Sequence, residues 1–256
     1  MTSLNDALKV LLAYGLIMMI GLIVTWWWSR FDARTFRGVG VWIKPMKFMA
    51  ATGLFAVTSA CLMQVADVSP QALPSFYWIA VLIVSTSLFE VAYISLQGSL
   101  GEASHYNTSD LLHAVMSALM GIVAVALTAS QAWLAWVIWS QNAQPTLSVM
   151  QSGIVVGLIM TFVLSTLSGF LLGSHQAPPG KGLPIVGWHL RGDIRPAHFL
   201  GVHAQQFIPV FGLLAEYFAG GAALTVFTTL TMGYLLAFIC STFMAMKAIP
   251  VTTHLG

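Results

Sequence analysis

Residues 149–172 read VMQSGIVVGLIMTFVLSTLSGFLL and contain no charged side chain. A helix needs about 17–25 predominantly apolar residues to cross the hydrocarbon core of a bilayer. This stretch meets that requirement in both length and composition. It therefore predicts a membrane-spanning helix, and the other long apolar runs of the chain can be interpreted in the same way.

Six further runs of comparable length lie on either side of it. The sequence thus predicts an all-α fold, an integral membrane bundle of seven transmembrane helices that forms a single domain over residues 1–256. No small-residue cleavage site follows the first run, so we expect it to remain as a span. The seven predicted spans cover residues 10–28, 46–65, 74–97, 111–139, 149–172, 198–218 and 221–246.

The composition excludes several other classes of protein. Hydrophobic residues make up 58% of the chain and charged residues only 7%, whereas soluble domains average about 45–50% and about 25%. A formal net charge of +2 gives no basic face for nucleic acid. Cys61 and Cys240 lie in apolar runs without CxxC spacing, which favours neither a disulfide framework nor a thiolate metal site.

Lysine and arginine are unevenly distributed between the two sides of this topology. Nine of the ten lie in the loops after spans one and five or at the end of span seven, and only Lys9 lies on the other side. Short loops rich in lysine and arginine stay in the cytoplasm. We therefore predict an outer N-terminus and a cytoplasmic C-terminus.

Tryptophan and tyrosine favour the level of the lipid headgroups. Phe76-Tyr77-Trp78 opens span three, and Trp133, Trp136 and Trp139 close span four, so both groups fall on the predicted outer side. Trp26–Trp28 mark the inner side. We interpret all of them as anchoring belts without a role in chemistry.

Pairs of small residues suggest where helices approach one another closely. Gly153 and Gly157 form a GxxxG pattern in span five, and Ser117 and Gly121 form a small-xxx-small pair in span four. Such pairs allow close contact between helix backbones. We expect both to pack helices within the bundle.

Ionisable residues inside a membrane are costly, and each is a candidate functional residue. Glu90 is the clearest case, because its neighbours along the chain, Leu88-Phe89 and Val91-Ala92, are apolar and offer no partner. It is either a ligand or proton-handling carboxyl, or a protonated group bonded to a neighbouring helix.

Histidines form the second anomaly in the sequence. Six of the seven cluster at the predicted cytoplasmic ends of spans three to six: His105, His113, His175, His189, His198 and His203. Imidazole and carboxylate groups together suit zinc or iron. With Glu90 and Asp193 on the same side, these histidines predict a metal site.

The spacing of His198 and His203 limits how they could share a metal. Five residues apart on one regular helix, they would point about 140° away from each other. Pro196 favours a helix start nearby, so we expect His198 to precede the helix and His203 to lie about one turn inside it.

Three segments resemble motifs shared by a group of bacterial multi-pass membrane proteins. They are Ile43–Phe48 (IKPMKF), Ser104–Asn107 (SHYN) and Gly192–Pro209 (GDIRPAHFLGVHAQQFIP). Tyr106 stands where the group has phenylalanine. The resemblance implies a location in the bacterial inner (plasma) membrane and a single site containing His105, His198 and His203, and it implies no activity.

One functional hypothesis is a metal-dependent enzyme at the cytoplasmic face, acting on a lipid or small amphiphile. His105, His198 and His203 would hold zinc or iron, which leaves the open fourth position that catalytic zinc requires. Asp193 or Glu90 would act as the base that activates a metal-bound water.

A second hypothesis is a b-type haem protein in electron transfer. His113 and His203 lie at similar depths on different helices, so they could form the axial pair of haem b, with Arg191 or Arg195 binding the propionates. This alternative competes with the three-histidine site for His203.

Two further hypotheses remain open. One is a proton-coupled transporter in which Glu90 titrates and the long loop at residues 173–197 acts as a gate. The other is a scaffold whose polar residues only join helices. The sequence identifies the lipid bilayer as a partner and leaves a homo-oligomer open.

Overall fold

The computed structural model describes residues 4–105, 107–174, 178, 182–183, 187–189 and 191–247. These residues are largely helical, in agreement with the predicted all-α class. Single 3₁₀ turns at Pro70–Ala72 and Gly220–Ala222 precede α3 and α8. The elements are α1 (Leu4–Trp28), β1 (Thr35–Phe36), β2 (Val39–Gly40), α2 (Ile43–Val65), α3 (Leu73–Leu100), α4 (Leu111–Ser140), α5 (Val149–Ser174), α6 (Arg195–Val202), α7 (Ala204–Phe218) and α8 (Ala223–Lys247).

Six helices in the described part of the chain are long and apolar enough to cross a membrane. They are α1, α2, α3, α4, α5 and α8, and each coincides with a predicted span to within a few residues. The chain is therefore a multi-pass helical membrane protein. The predicted count of seven is not confirmed, because residues 198–218 do not form one long helix.

The predicted sixth span is divided into α6 and α7 at His203. His203 has φ −93° and ψ 7°, outside regular helical geometry. Thr161 of α5 accepts a hydrogen bond from the backbone N–H of Gln205 at 2.8 Å. Farther along, Pro209 has no N–H to donate to the carbonyl four residues earlier, which weakens the helix after the break. Hydropathy alone does not predict this division, because both halves are apolar.

Backbone contacts identify one end of the bundle, which we call the opposite end. Here the loop after α2 pairs with the loop after α4: the N–H of Ala143 donates to the carbonyl of Asp67 at 2.9 Å, and that of Ser69 donates to Gln141 at 2.8 Å. The N–H of Met150 at the start of α5 also donates to Glu216 near the end of α7 at 2.7 Å.

The other end, which we call the basic end, contains the starts of α2, α4 and α6 and the ends of α1, α3, α5 and α8. Arg34 joins two of these segments by donating from Nη1 to the carbonyl of Ser99 at 2.9 Å. Of the ten lysines and arginines, Lys181 lies outside the described residues and Lys9 lies in the first turns of α1. The remaining eight gather at this end: Arg30, Arg34, Arg37, Lys44, Lys47, Arg191, Arg195 and Lys247.

Helix α5 lies against the divided pair α6–α7, with glycines at the contact. A Cβ atom on Gly157 would lie 2.8 Å from Cδ of Pro209, and one on Gly153 would lie 3.1 Å from the carbonyl oxygen of Ile208. A Cβ on Gly201 would lie 2.8 Å from backbone atoms of α5. Only glycine permits such close approach of two helices. The predicted role of the GxxxG pair within the bundle is therefore confirmed.

The second small-residue pair does not behave as expected. Gly121 is exposed, and a Cβ atom added to it would have no neighbour within 4 Å among the described residues. The expectation is thus not met at Gly121, which faces outward, whereas Ser117 is half-buried and packing by that residue stays a prediction.

The aromatic belts are largely as expected. Trp78, Trp133, Trp136 and Trp139 are exposed near the opposite end, and Trp26–Trp28 are exposed near the basic end. Phe76 is the exception, because it is fully buried. It belongs to the core that α1, α2, α3, α4 and α5 share, whose largest members include Leu11, Phe55, Phe76, Ile79 and Leu134.

Substituting Gly157 with alanine is expected to destabilise the bundle by about 1–3 kcal/mol, because the added methyl group would overlap Pro209 and overpacking costs roughly this much. Gly121→Ala is the matched control, since it gives the same gain in helix propensity without a clash. Unfolding in detergent, followed by circular dichroism, measures both. Equal stabilities of the two variants would contradict the close α5–α7 contact.

Candidate functional site at the basic end

The three motifs quoted from the sequence meet at the basic end. Pro45 lies in the first turn of α2, where its missing N–H costs nothing, and it is preceded by Lys44. The ammonium group of Lys44 donates to Oγ of Ser104 at 2.6 Å and contacts Nδ1 of His105 at 3.0 Å. The IKPMKF and SHYN segments, far apart in sequence, are thus joined by one side chain.

These contacts fix the protonation of His105. An ammonium group can only donate hydrogen bonds, so Nδ1 of His105 accepts, and the ring hydrogen is on Nε2. Burial, together with the adjacent charge of Lys44, lowers the pKa of His105 to about 3. The ring is therefore neutral at physiological pH, and one of its two nitrogens is occupied by Lys44.

Glu90 is buried in α3 and is 3% exposed. It lies ten residues before the end of the helix, or about 15 Å along its axis. Its Oε1 has no hydrogen-bond partner among the described residues. Its charge interacts with that of Lys44. The sequence alone identifies Glu90 as a candidate functional residue. The structure identifies Lys44 of α2 as the cation whose charge interacts with it.

Lys47, one turn after Lys44, faces the third motif. Its charge interacts with those of Asp193 and Arg195 at the start of α6. The first two turns of α2 therefore present Lys44 to the loop after α3 and bring the charge of Lys47 into the field of the start of α6. This arrangement connects the two halves of the bundle at the basic end.

Asp193 is hydrogen-bonded by residues that lie close to it in the sequence. Its buried carboxylate accepts hydrogen bonds from the backbone N–H of His189 at 2.8 Å and from Nε and Nη2 of Arg195 at 2.8 and 2.7 Å. Burial raises the pKa of Asp193, but the hydrogen bonds from Arg195 and the backbone outweigh it, and the net shift is downward. Asp193 is thus ionised and anchors the loop before α6, and its predicted role as a catalytic base stays a prediction.

His198 lies inside α6, three residues after its start. The expectation that it precedes the helix is wrong, because the helix begins at Arg195, ahead of Pro196. Oγ of Ser168 lies 3.1 Å from Nδ1 of His198 and itself donates to the carbonyl of Leu164 at 2.6 Å. Nδ1 of His198 is therefore the donor of this pair.

His203 lies at the break between α6 and α7, about two turns after the helix start. Its ring packs on that of Phe199, with centroids 4.1 Å apart. Nδ1 lies 3.2 Å from Oε1 of Gln206, whose Nε2 donates to Thr58 of α2 at 3.0 Å. Because an amide oxygen only accepts, Nδ1 of His203 carries a hydrogen.

His113 is committed to two carboxylates in the first turn of α4. Nδ1 lies 2.7 Å from Asp110, which also caps the helix, and Nε2 lies 3.2 Å from Glu102. Both ring nitrogens of His113 thus have hydrogen-bond partners. An axial haem ligand needs one ring nitrogen to bind the iron, so this arrangement does not fit that role. Of the predicted propionate partners, Arg195 is paired with Asp193 and Arg191 is exposed.

The predicted three-histidine metal site is not assembled. Across the described ranges, no group of three histidine, cysteine, aspartate or glutamate side chains could hold a metal ion. Lys44 occupies Nδ1 of His105, whereas His198 and His203 belong to the α6–α7 side of the bundle. His175 of the predicted cluster lies outside the described residues.

Sequence reasoning misses two residues of this region. The sequence prediction counts Lys44 only as a charge in the loop after span one. The signal available was its position beside Pro45, because proline favours the first turn of a helix. Gln205 is fully buried in α7, and neither Oε1 nor Nε2 has a partner among the described residues. The sequence signal that could have identified Gln205 is the presence of a glutamine within a predicted membrane span.

Comparison of the chain with protein-family models, with curated proteins and with solved structures gave no match.

Asp193→Asn is expected to lower stability at neutral pH by about 2 kcal/mol. This is less than the roughly 3–5 kcal/mol for breaking a fully buried pair, since Arg195 is one-third exposed. The folded pKa of Asp193 lies below the ordinary value of 3.8, so its stabilisation is present above that pH and is lost as the pH falls through the folded pKa.

Unfolding of both proteins in detergent at several pH values checks this. The difference in unfolding free energy between the wild type and Asp193→Asn should disappear in acid. The matched control is Asp110→Asn, which retains a helix cap at an exposed site. A stable Asp193→Asn protein that had lost only an activity would return Asp193 to the predicted role of catalytic base.

Proposed function

We propose that the protein is a proton-coupled membrane carrier in which Glu90 exchanges the proton and Lys44 is its cationic partner. The observation that carries this proposal is a buried carboxyl within a membrane helix, with one oxygen unpartnered among the described residues and its charge coupled to Lys44. Intramembrane carboxyls paired in this way mark proton relays in transporters.

The surroundings of Lys44 support an exchange role. Its ammonium group has three hydrogens, and Ser104 and His105 engage it at 2.6 and 3.0 Å, which leaves one N–H for a carboxylate. When Glu90 is ionised, Lys44 balances its charge. When Glu90 is protonated, the contacts with Ser104 and the neutral His105 ring retain Lys44 at the basic end.

The divided helix is a second observation in favour of a carrier. Transporters commonly bind substrate near discontinuous helices at mid-membrane depth, where non-helical backbone lines the site. Here the break at His203 is followed by Gln205, whose buried amide has no partner for either polar atom among the described residues. We assign Gln205 as a substrate-contacting residue for a polar solute.

We also propose a complete topology of seven crossings. The pair α6–α7 runs antiparallel along α5, from His198 near Gly169 to Gly212 near Val149. The stretch of α5 between Val149 and Gly169 is about 30 Å long at 1.5 Å per residue. The pair α6–α7 would form the seventh crossing. The basic end would then face the cytoplasm, with the N-terminus outside, in an inner (plasma) membrane.

A metal-dependent enzyme acting on a lipid or small amphiphile is the second candidate. His198 and His203 each direct Nδ1 to an oxygen partner, which is how ligand histidines are oriented so that Nε2 can bind zinc or iron. His105 would have to leave Lys44 to complete the site. Stoichiometric metal that is lost in His203→Ala would favour this candidate over the carrier.

Glu90→Gln is expected to abolish uptake of solutes driven by a pH gradient into reconstituted vesicles, with folded yield near normal. Glutamine retains the shape and hydrogen-bonding capacity of the side chain but cannot exchange a proton. Glu102→Gln, an exposed carboxyl at the same end, is the matched control. A panel of small polar metabolites serves as probe.

Infrared difference spectra between acidic and alkaline buffer supply a readout that needs no substrate. The proposal requires a carboxyl signal that responds to pH in the wild type and in Glu102→Gln but is missing in Glu90→Gln. Identical spectra in all three proteins would rule out proton exchange at Glu90.

A further inference from the structure

A line of buried polar side chains runs along one face of α3. Ser87, Glu90 and Gln97 are 0%, 3% and 4% exposed. Because successive residues of a helix are rotated by about 100°, these three lie within about 80° of one another around the axis. From Ser87 to Gln97 the line covers about 15 Å of the helix, and Gln97 lies near the basic end.

Each of these three side chains has a polar atom that no other group satisfies. Oγ of Ser87, Oε1 of Glu90 and Oε1 of Gln97 have no hydrogen-bond partner in the described part of the chain. Burying a polar atom without a partner is costly, and more so where hydrocarbon surrounds the bundle. Three such atoms on one face of one helix therefore indicate a small polar ligand beside them.

Ser87 differs from the other buried hydroxyl residues of the bundle. A serine or threonine within a helix can donate its hydroxyl hydrogen to the carbonyl four residues earlier. The adjacent Thr86 does this, to Leu82 at 2.6 Å. Ser87 makes no such bond among the residues that the structure describes. Its hydroxyl is thus available to a partner outside its own helix.

A hydroxyl pair from α1 and α2 lies next to this line. Tyr14 of α1 donates to Oγ1 of Thr52 at 3.0 Å, and Thr52 donates to the carbonyl of Phe48 at 2.8 Å. The Tyr14 hydroxyl also interacts with that of Ser87, although the two are not in direct hydrogen-bond geometry. Tyr14 has given its only hydrogen to Thr52, but its oxygen can still accept one.

The ligand that these atoms require is water. The amide oxygen of Gln97 only accepts, whereas the hydroxyl of Ser87 and the carboxyl of Glu90 can each donate or accept, depending on protonation. Water provides both functions in the smallest volume, and buried waters typically make about three hydrogen bonds to groups of this kind. Ser87 and Glu90 are one helical turn apart, with Cβ atoms about 5–6 Å from each other, a separation that one water can bridge.

We propose that Ser87, Glu90 and Gln97 bind a line of internal water, and that this water delivers the proton that Glu90 exchanges. The proposal rests on the proposed function of Glu90. The water at Oε1 gives a hydrogen to the carboxylate and takes one from the next water toward Gln97. Each water thus keeps its two hydrogens, and one proton is drawn from solvent at the basic end. Release of the proton runs in reverse.

Infrared difference spectra between acidic and alkaline buffer, recorded in ordinary and in heavy-oxygen water, test the proposal. In the wild type, water O–H bands that shift in heavy-oxygen water should accompany the carboxyl signal of Glu90. Ser87→Ala and Gln97→Leu should each lose at least one of these bands and retain the carboxyl signal. Ser87→Ala should also keep the thermal stability of the wild type, because no hydrogen bond to the protein is lost.

Thr86→Val is the matched control, since it removes a neighbouring buried hydroxyl that is bonded within its own helix. It should retain every water band. A carboxyl signal without water bands, unchanged bands in either Ser87→Ala or Gln97→Leu, or an equal loss in Thr86→Val would overturn the water line and leave proton exchange at Glu90 intact. A wild type without the carboxyl signal would instead overturn the proposed function, and this proposal with it.

Discussion

The charge interaction between Glu90 and Lys44 constrains the basic end of the bundle. A carboxylate within a membrane helix must be balanced or protonated, because hydrocarbon cannot solvate it. In the proposed mechanism Lys44 balances this charge, and its contacts with Ser104 and His105 place the first turn of α2 beside the loop after α3. The next turn of α2 contains Lys47, whose charge interacts with those of Asp193 and Arg195 at the start of α6.

The helix divided into α6 and α7 distinguishes the part of the bundle that packs on α5 from helices α1–α4. Glycines at positions 153, 157 and 201 bring α5 and the α6–α7 pair into backbone contact, and Thr161 binds the N–H of Gln205 just after the break. Close packing on α5 thus compensates for the irregular backbone, as non-helical segments in membranes require. Helices α1–α4 are thus uninterrupted, whereas the chain against α5 is divided at His203.

Hydropathy predicts the six long helices to within a few residues, because a span must satisfy its backbone internally whatever its neighbours are. It does not predict the break at His203, which depends on Thr161 of another helix. Glu90 could be identified from the sequence as an ionisable group in an apolar run, but Lys44 as its partner could not, since that pairing depends on tertiary structure. The histidine partners could not be predicted for the same reason: His105, His113, His198 and His203 each lie at the expected end of the bundle but contact different local partners.

A double-mutant cycle between Lys44 and Glu90 tests the central claim most directly. Unfolding in detergent would be measured for the wild type, Lys44→Met, Glu90→Gln and the double variant. If Lys44 balances Glu90, Lys44→Met should be costly in the wild-type background and much less so in the Glu90→Gln background, with a coupling energy of about 0.5–3 kcal/mol. Equal cost of Lys44→Met in both backgrounds would show that the two charges do not depend on each other and would contradict the account.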